Sequence, residues 1–172
     1  MQYRKDIKSG NELSQLGFGC MRFGGSSLAS SFSGRFDKQK AENLIVSAIN
    51  KGINYFDTAY IYPGSEDILG YTLNKHGLRD KVYIATKLPV IMVKKASDLD
   101  KYFNEELKRL ITDHIDYYLM HMLPDVQEWQ KLIDLGILEW LQQKKESGQI
   151  RQVGFSFHGS CKDFLDLLDA HE

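Results

Sequence analysis

Short apolar runs alternate with helical spacings along this chain. Leu16-Gly17-Phe18-Gly19 is the first run, and a Gly- and Ser-rich loop follows from Gly24 to Gly34. Ala41, Leu44, Ile45, Ala48 and Ile49 then share one helical face, with Asp37 placed to cap that helix and Gly52 to stop it. Tyr55-Phe56-Asp57 is the second strand. A helix capped by Ser65 runs through Ile68, Leu69 and Leu73 to Gly77. The β-rich run Val82-Tyr83-Ile84-Ala85-Thr86-Lys87 is the third strand. Ser97 or Asp98 opens the next helix, which turns Leu99, Tyr102, Phe103, Leu107, Leu110 and Ile111 inward. Ile115 to His121 is the fourth strand. A Pro124 loop, a short helix near Trp129 and a longer one through Ile137, Trp140 and Leu141 follow, ending at Ser147-Gly148. Gln152 to Ser156 is the fifth strand, and Phe164 to Leu168 lies in the last helix.

Strand followed by helix, five times over, predicts parallel strands joined by right-handed crossovers. Ahead of them, Tyr3 to Lys5 and Glu12 to Ser14 flank Lys8-Ser9-Gly10-Asn11, the pattern of a β-hairpin with a glycine turn. The domain reading is therefore one α/β unit over residues 1–172, with the hairpin in 1–14 and βα units in 15–172. Two folds compete for it. A doubly wound open sheet places GxGxxG after its first strand. Here Gly17-Phe18-Gly19-Cys20-Met21-Arg22 lacks the third glycine and leads into a long loop. The (β/α)8 barrel is the better fit, and it is incomplete: eight units close a barrel, and five are here. The expectation is an N-terminal portion of a longer protein. The open side of such a piece is expected to favour association into a homo-oligomer.

Composition narrows the picture by exclusion. With 42% hydrophobic and 26% charged residues, the 172-residue chain is ordinary for a globular domain. A net charge of −1 argues against nucleic acid or an anionic membrane as partner. No apolar run reaches the roughly 18 residues of a membrane span, and no hydrophobic segment follows the charged N-terminus, so the expected address is cytoplasmic. Two cysteines far apart, Cys20 and Cys161, make no metal-ligand set.

Four successive strands end in a reactive polar residue: Asp57, Lys87, His121 and Ser156. Each stands about one βα unit after the last, so all project from one rim, and in a parallel barrel the C-terminal rim carries the active site. Tyr62 lies in the loop after Asp57 and can turn back over that rim. A tyrosine with its pKa near 10 is a poor acid or base at neutral pH, and a nearby ammonium from Lys87 would lower it. Asp57 could hold Lys87, and His121 could position a carbonyl oxygen beside a hydride donor. Taken singly, each residue has a plainer role: a helix cap for Asp57, a solvated end for Lys87, a satisfied core group for His121. Their shared spacing is what favours chemistry. A Schiff-base lyase using Lys87 is a second enzyme class. An inactive or merely nicotinamide-binding scaffold is a third reading.

At these residues the sequence resembles the aldo-keto reductase family. The matching stretches are Leu16 to Gly19, Asn54 to Tyr62, Ala85-Thr86-Lys87, Asp116 to His121 and Gly148 to Ser156. The resemblance implies a tetrad of Asp57, Tyr62, Lys87 and His121 that reduces an aldehyde or ketone, with Tyr62 as general acid. It implies NADPH as cofactor, NADH being the alternative, and a small carbonyl substrate as partner. Gly19, Cys20, Met21 and Arg22 are expected to approach the cofactor beside Asp57, and Ser156 to meet the nicotinamide amide. Many members follow that serine with asparagine, where Phe157 and His158 stand here. The details resemble a bacterial subgroup that often carries a ferredoxin-like C-terminal extension. Iron-sulfur clusters would belong only to such an extension, outside this chain.

Other conspicuous residues have plainer readings. Trp129 could wall a substrate pocket but better suits packing a short helix on the rim, Trp140 suits helix packing, and Cys20 suits a small buried thiol. His76, His114 and His171 flank helix ends and are expected to be solvated, as are Lys94 and Lys95. His158 follows Ser156 on the active rim. Tyr60 is close enough to Tyr62 to be mistaken for the acid.

Overall fold

Tyr3–Lys5 (β1) and Glu12–Ser14 (β2) pair antiparallel, Tyr3 opposite Ser14. Gly10 takes the left-handed φ of 77° that the turn needs. This hairpin belongs to a computed structural model that describes residues 1–23 and 36–170. The Gly24 to Gly34 loop and His171 therefore lie outside the described residues. The hairpin is tied beneath the rest of the chain: Tyr117 Oη donates to Asp6 Oδ2 at 2.9 Å and accepts from Asn11 Nδ2 at 3.1 Å. Ser14 N donates to Asn54 Oδ1 at 2.7 Å.

The remaining described strands form one parallel sheet. They are Phe18–Gly19 (β3), Tyr55–Asp57 (β4), Tyr83–Leu88 (β5), Ile115–Leu123 (β6) and Ile150–Phe157 (β7). Each pairs with its sequence neighbour, in the order β3-β4-β5-β6-β7. A doubly wound sheet reverses direction at a switch point, whereas continuous winding is the order of a barrel wall. Lys38–Asn50 (α1) follows β3, Ser65–Lys75 (α2) follows β4 and Ser97–Leu110 (α3) follows β5. Val126–Asp134 (α4) and Ile137–Glu146 (α5) follow β6, and Cys161–Asp169 (α6) follows β7. The architecture is α/β, a partial (β/α) barrel with five units.

Strand periodicity separates two faces. Phe56, Ile84, Thr86, Tyr118 and Met120 face the helices and are buried. The alternate residues Tyr55, Tyr83, Tyr117 and Leu119 are only half buried, because the inner face of the wall has no opposite side among the described residues. The sheet ends at β3 and β7, where Leu16 and Val153 are exposed.

Several local expectations change. Asp37 does cap α1, accepting from Lys40 N at 3.0 Å, but Leu44 on that helix is exposed. Ser65 is not the cap of α2. Gly64 occupies that position, and the Ser65 hydroxyl instead donates to Cys20 O at 2.7 Å. At α3 the cap is Ala96, with no side-chain cap bond. Asp98 reaches back from the first turn to the Lys94 and Lys95 amides. Ile111 points outward because it ends α3 in the left-handed region, φ 51°. The first parallel strand is only the Phe18–Gly19 half of its apolar run.

Candidate active site

The register of the sheet builds the site. Asp57 pairs with Ala85, and Lys87 is the next residue on that same face of β5. Lys87 pairs with Leu119, and His121 is the next on that face of β6. Leu119 pairs with Gly154, and Ser156 is the next on that face of β7. The register of these residues steps two residues toward the strand ends at each crossing. It puts Asp57, Lys87, His121 and Ser156 on the inner face, at the C-terminal rim.

Lys87 is fixed on two sides. Its Nζ lies 2.6 Å from Asp57 Oδ1 and 2.6 Å from the carbonyl of Thr58. The residue is 4% exposed, while the Asp57 side chain keeps 36% of its surface. Tyr62 turns back over this pair, with its ring centroid 5.3 Å from Lys87 Nζ. The Tyr62 and His121 rings meet edge to face at 5.6 Å. The loop between Asp57 and α2 therefore does what the sequence suggested for it. Tyr60, two residues earlier, faces away and donates its phenol hydrogen to Glu105 Oε2 at 2.7 Å.

One electrostatic expectation fails. The Tyr62 phenol is pushed up from its ordinary value, first by burial and then by the Asp57 charge. The ammonium of Lys87 is already committed to Asp57 and to the Thr58 carbonyl, so it does not draw the phenol down. Tyr62 is thus a neutral phenol across the physiological range. His121 moves the other way, to about 4, through burial and then the charges of Lys87 and His158. Its imidazole is neutral at pH 7. Its Nδ1 is buried with no partner among the described residues, so the ring keeps hydrogen-bonding capacity that the protein does not use.

This has a consequence for stability. An unfolded histidine titrates near 6.5 and binds protons that the folded ring refuses until about 4. Stability is therefore full above about pH 6.5 and is lost as pH falls toward 4. His121→Gln should flatten the drop in urea midpoint between pH 7 and pH 4.5. Parallel losses in parent and variant would show that other groups set the acid limb.

The remaining predicted site residues divide. Gly19 has open space where a Cβ would stand, and Met21 and Arg22 are exposed. Cys20 is wholly buried, its amide donating to Asp57 O at 2.7 Å, and burial pushes its thiol up. Its side chain therefore packs under the rim and does not face it. Ser156 Oγ accepts from Met122 N at 2.8 Å. Met122 has φ 55° and sits where the β6–β7 register shifts, so Ser156 props the backbone next to His121.

Beside His121 opens a cavity of about 260 Å³. Ile61, Val90, Ile91, Met122 and Pro124 make it largely apolar. The sequence reading missed these residues because most of them lie just past strand ends, outside the periodic elements. The signal was present: Pro89 to Val93 is an apolar stretch just past a strand end, where a loop would normally be polar. Trp129 does not line this cavity and is packed in the core. Trp140 packs edge to face on Phe103 at 5.5 Å. His76 and His114 are not simply solvated: His76 Nε2 lies 2.8 Å from Glu42, and His114 Nδ1 lies 2.6 Å from Asp113. His158 is exposed, as are Lys94 and Lys95.

Comparison with known proteins gives the family. The model of the aldo/keto reductase family matches residues 15–164. The chain belongs to that family. It is 31% identical to aldo-keto reductase YhdN of Bacillus subtilis over 168 residues, covering 91% of this chain and 47% of that protein. The holo form of aldo-keto reductase AKR11C1 from Bacillus halodurans superimposes with a TM-score of 0.72 at 30% identity, covering 91% of this chain and 50% of that one. An aldo/keto reductase from Klebsiella pneumoniae, solved with NADP and acetate, superimposes with a TM-score of 0.68 at 26% identity, covering 92% and 50%. The chain spans about half the length of these relatives. Membership makes the continuous β3-to-β7 winding part of an aldo-keto reductase barrel. Among the described residues no helix is long and apolar enough to cross a membrane, and no metal-ligating cluster occurs.

Proposed function

We propose that this chain carries the proton-donating half of a nicotinamide-dependent carbonyl reductase, with Tyr62 as general acid. One observation carries the reading: the Tyr62 ring stands over the Asp57–Lys87 ion pair and against the His121 ring, on one rim. Tyr62 holds its proton at neutral pH and gives it to the carbonyl oxygen as negative charge develops there. Neutral His121 offers a hydrogen bond to the same oxygen and orients it. The Asp57–Lys87 pair forms the floor beneath the phenol, with the Lys87 ammonium held by Asp57 and the Thr58 carbonyl.

The residues present fit a nicotinamide ring. Open space at Gly19 lies on the strand next to Asp57, and exposed Met21 follows just past its end. NADPH is the form proposed, in line with the NADP bound by the Klebsiella pneumoniae relative. When bound, it supplies the hydride that reduces the carbonyl carbon. The apolar walls beside His121 favour a small aldehyde or ketone with a hydrophobic substituent. The lyase reading is weaker, because a Schiff-base lysine must offer a free amine, and Lys87 Nζ is held by two acceptors.

The test is NADPH oxidation by this protein with a panel of aromatic and aliphatic aldehydes, run beside borohydride trapping. Oxidation matched by alcohol formation, with no adduct on Lys87, is the expected result. A borohydride-stable adduct on Lys87 would replace this reading with the lyase.

A further inference from the structure

Arg109, on the helix behind the rim, touches neither the cavity nor the four site residues, yet it grips the loop that carries Tyr62. Its Nη1 donates to the carbonyl of Tyr60 at 3.1 Å and to Glu66 Oε2 at 3.2 Å. Its Nη2 donates to Glu105 Oε1 at 2.5 Å. The guanidinium also stacks on the Tyr60 ring, 4.2 Å from the centroid. Glu105 in turn accepts the Tyr60 phenol hydrogen. Tyr60 is therefore held by its carbonyl, its ring face and its hydroxyl, all through one Arg109–Glu105 unit.

Arg109 itself cannot drift. Gly70 on α2 lies so close to the backbone of Arg109 and Leu110 that an added Cβ would collide with both. The arginine backbone is thus seated on the helix that begins just past the Tyr62 loop.

The loop passes this grip on to Tyr62. Its foot is fixed, since Thr58 N donates to Ala85 O at 2.8 Å and Thr58 O accepts from Lys87. Its far end is a tight turn, with Tyr62 N donating to Ala59 O at 3.0 Å and Ser65 N to Tyr62 O at 3.0 Å. Among the described residues, the Tyr62 side chain meets its neighbours through its ring: an edge contact with His121 and the Lys87 cation. Ring contacts of this kind are too weak to hold a two-torsion side chain in one place if its backbone moves. The clamp on Tyr60 is the added restraint.

We propose that Arg109 is a positioning residue for Tyr62, fixing the acid over the rim by clamping Tyr60 between its guanidinium and Glu105. The proposal rests on Tyr62 as the acid, but its test does not use turnover. Tyrosine labelled with ¹³C at Cζ reports each phenol, and Tyr62→Phe assigns the Tyr62 signal. Arg109→Lys keeps a positive charge for buried Glu66 but loses the planar fork that reaches three partners. Relative to the parent, this variant should shift or split the Tyr62 Cζ resonance. Exchange of the Tyr62 and Ser65 amides should rise about tenfold, while β6 amides stay protected. An unchanged Tyr62 signal with unchanged loop exchange overturns the proposal. So does equal loosening of β6, which would make Arg109 a general stabiliser. If the lysine variant unfolds, Glu66→Gln with Arg109→Met removes the buried charge together with its partner and yields the same two readings. Failure of the reductase reading would appear elsewhere, as absent NADPH oxidation, and leaves these measurements intact.

Discussion

Asp116→Ala should cost about 3–5 kcal/mol of folding stability, the scale expected when one partner is removed from a buried ion pair. The Asp116 side chain is 0% exposed beneath the N-terminal end of the sheet. Its Oδ2 accepts from Arg79 Nη2 at 2.8 Å and from the Ile84 amide at 2.9 Å, and its Oδ1 accepts from Arg151 at 2.9 Å. Alanine would leave the Ile84 N–H unpaired in the interior of β5. It would also leave the Arg79 charge in place, because Thr112, Val82 and His114 hold that guanidinium independently. The loss compares with a total stability of about 5–15 kcal/mol for a typical domain, so the urea midpoint should fall steeply. Asp116→Asn should lose less, since it retains an acceptor. Adding Arg79→Met to the alanine variant should recover part of the loss, because the unpaired charge goes with it. A midpoint for Asp116→Ala close to that of the parent would mean that this network contributes little.

Tyr62→Phe should lower kcat by about 10²–10⁴-fold, the usual scale for a lost general acid, while cofactor affinity stays the same. Phenylalanine preserves the ring that meets His121 and Lys87, so the rim should keep its shape. Only the transferable proton is removed. Because burial and Asp57 hold the phenol above its ordinary pKa, the parent should show no loss of reduction rate between pH 6 and 9 from Tyr62 ionisation. Tyr60→Phe offers the contrast, since it removes a hydroxyl committed to Glu105 and should leave the proton donor in place. Parent-like kcat in Tyr62→Phe would end the assignment of the acid.

Much of this arrangement is visible in the chain of letters. Apolar runs ending in Asp57, Lys87 and His121 mark strand ends, and spacing by one βα unit implies a common rim. Pleat periodicity is local, so it survives folding unchanged. Capping is less legible. Ser65 has the residue type of a cap, but its hydroxyl is drawn to the carbonyl of Cys20, 45 positions away. The direction of the Tyr62 shift was also hidden, because it depends on where the Lys87 ammonium is spent. Glu105 and Arg109 are legible as a helical i,i+4 pair. That pattern usually marks a solvated helix face, and nothing local reveals that the pair closes on Tyr60. The apolar lining beside His121 was overlooked because its residues are scattered over three separate stretches of chain, around Ile61, Val90 and Met122.

The two-residue step from β4 to β6 draws Asp57, Lys87 and His121 from three adjacent strands, with Tyr62 in the loop between the first two. All four residues lie between positions 57 and 121. On the proposed reading, proton delivery is a property of one uninterrupted stretch of polypeptide, separable from whatever grips the cofactor or sorts substrates. Chimaeras that join this stretch to different closing halves should share one pH dependence of proton transfer while differing in what they reduce.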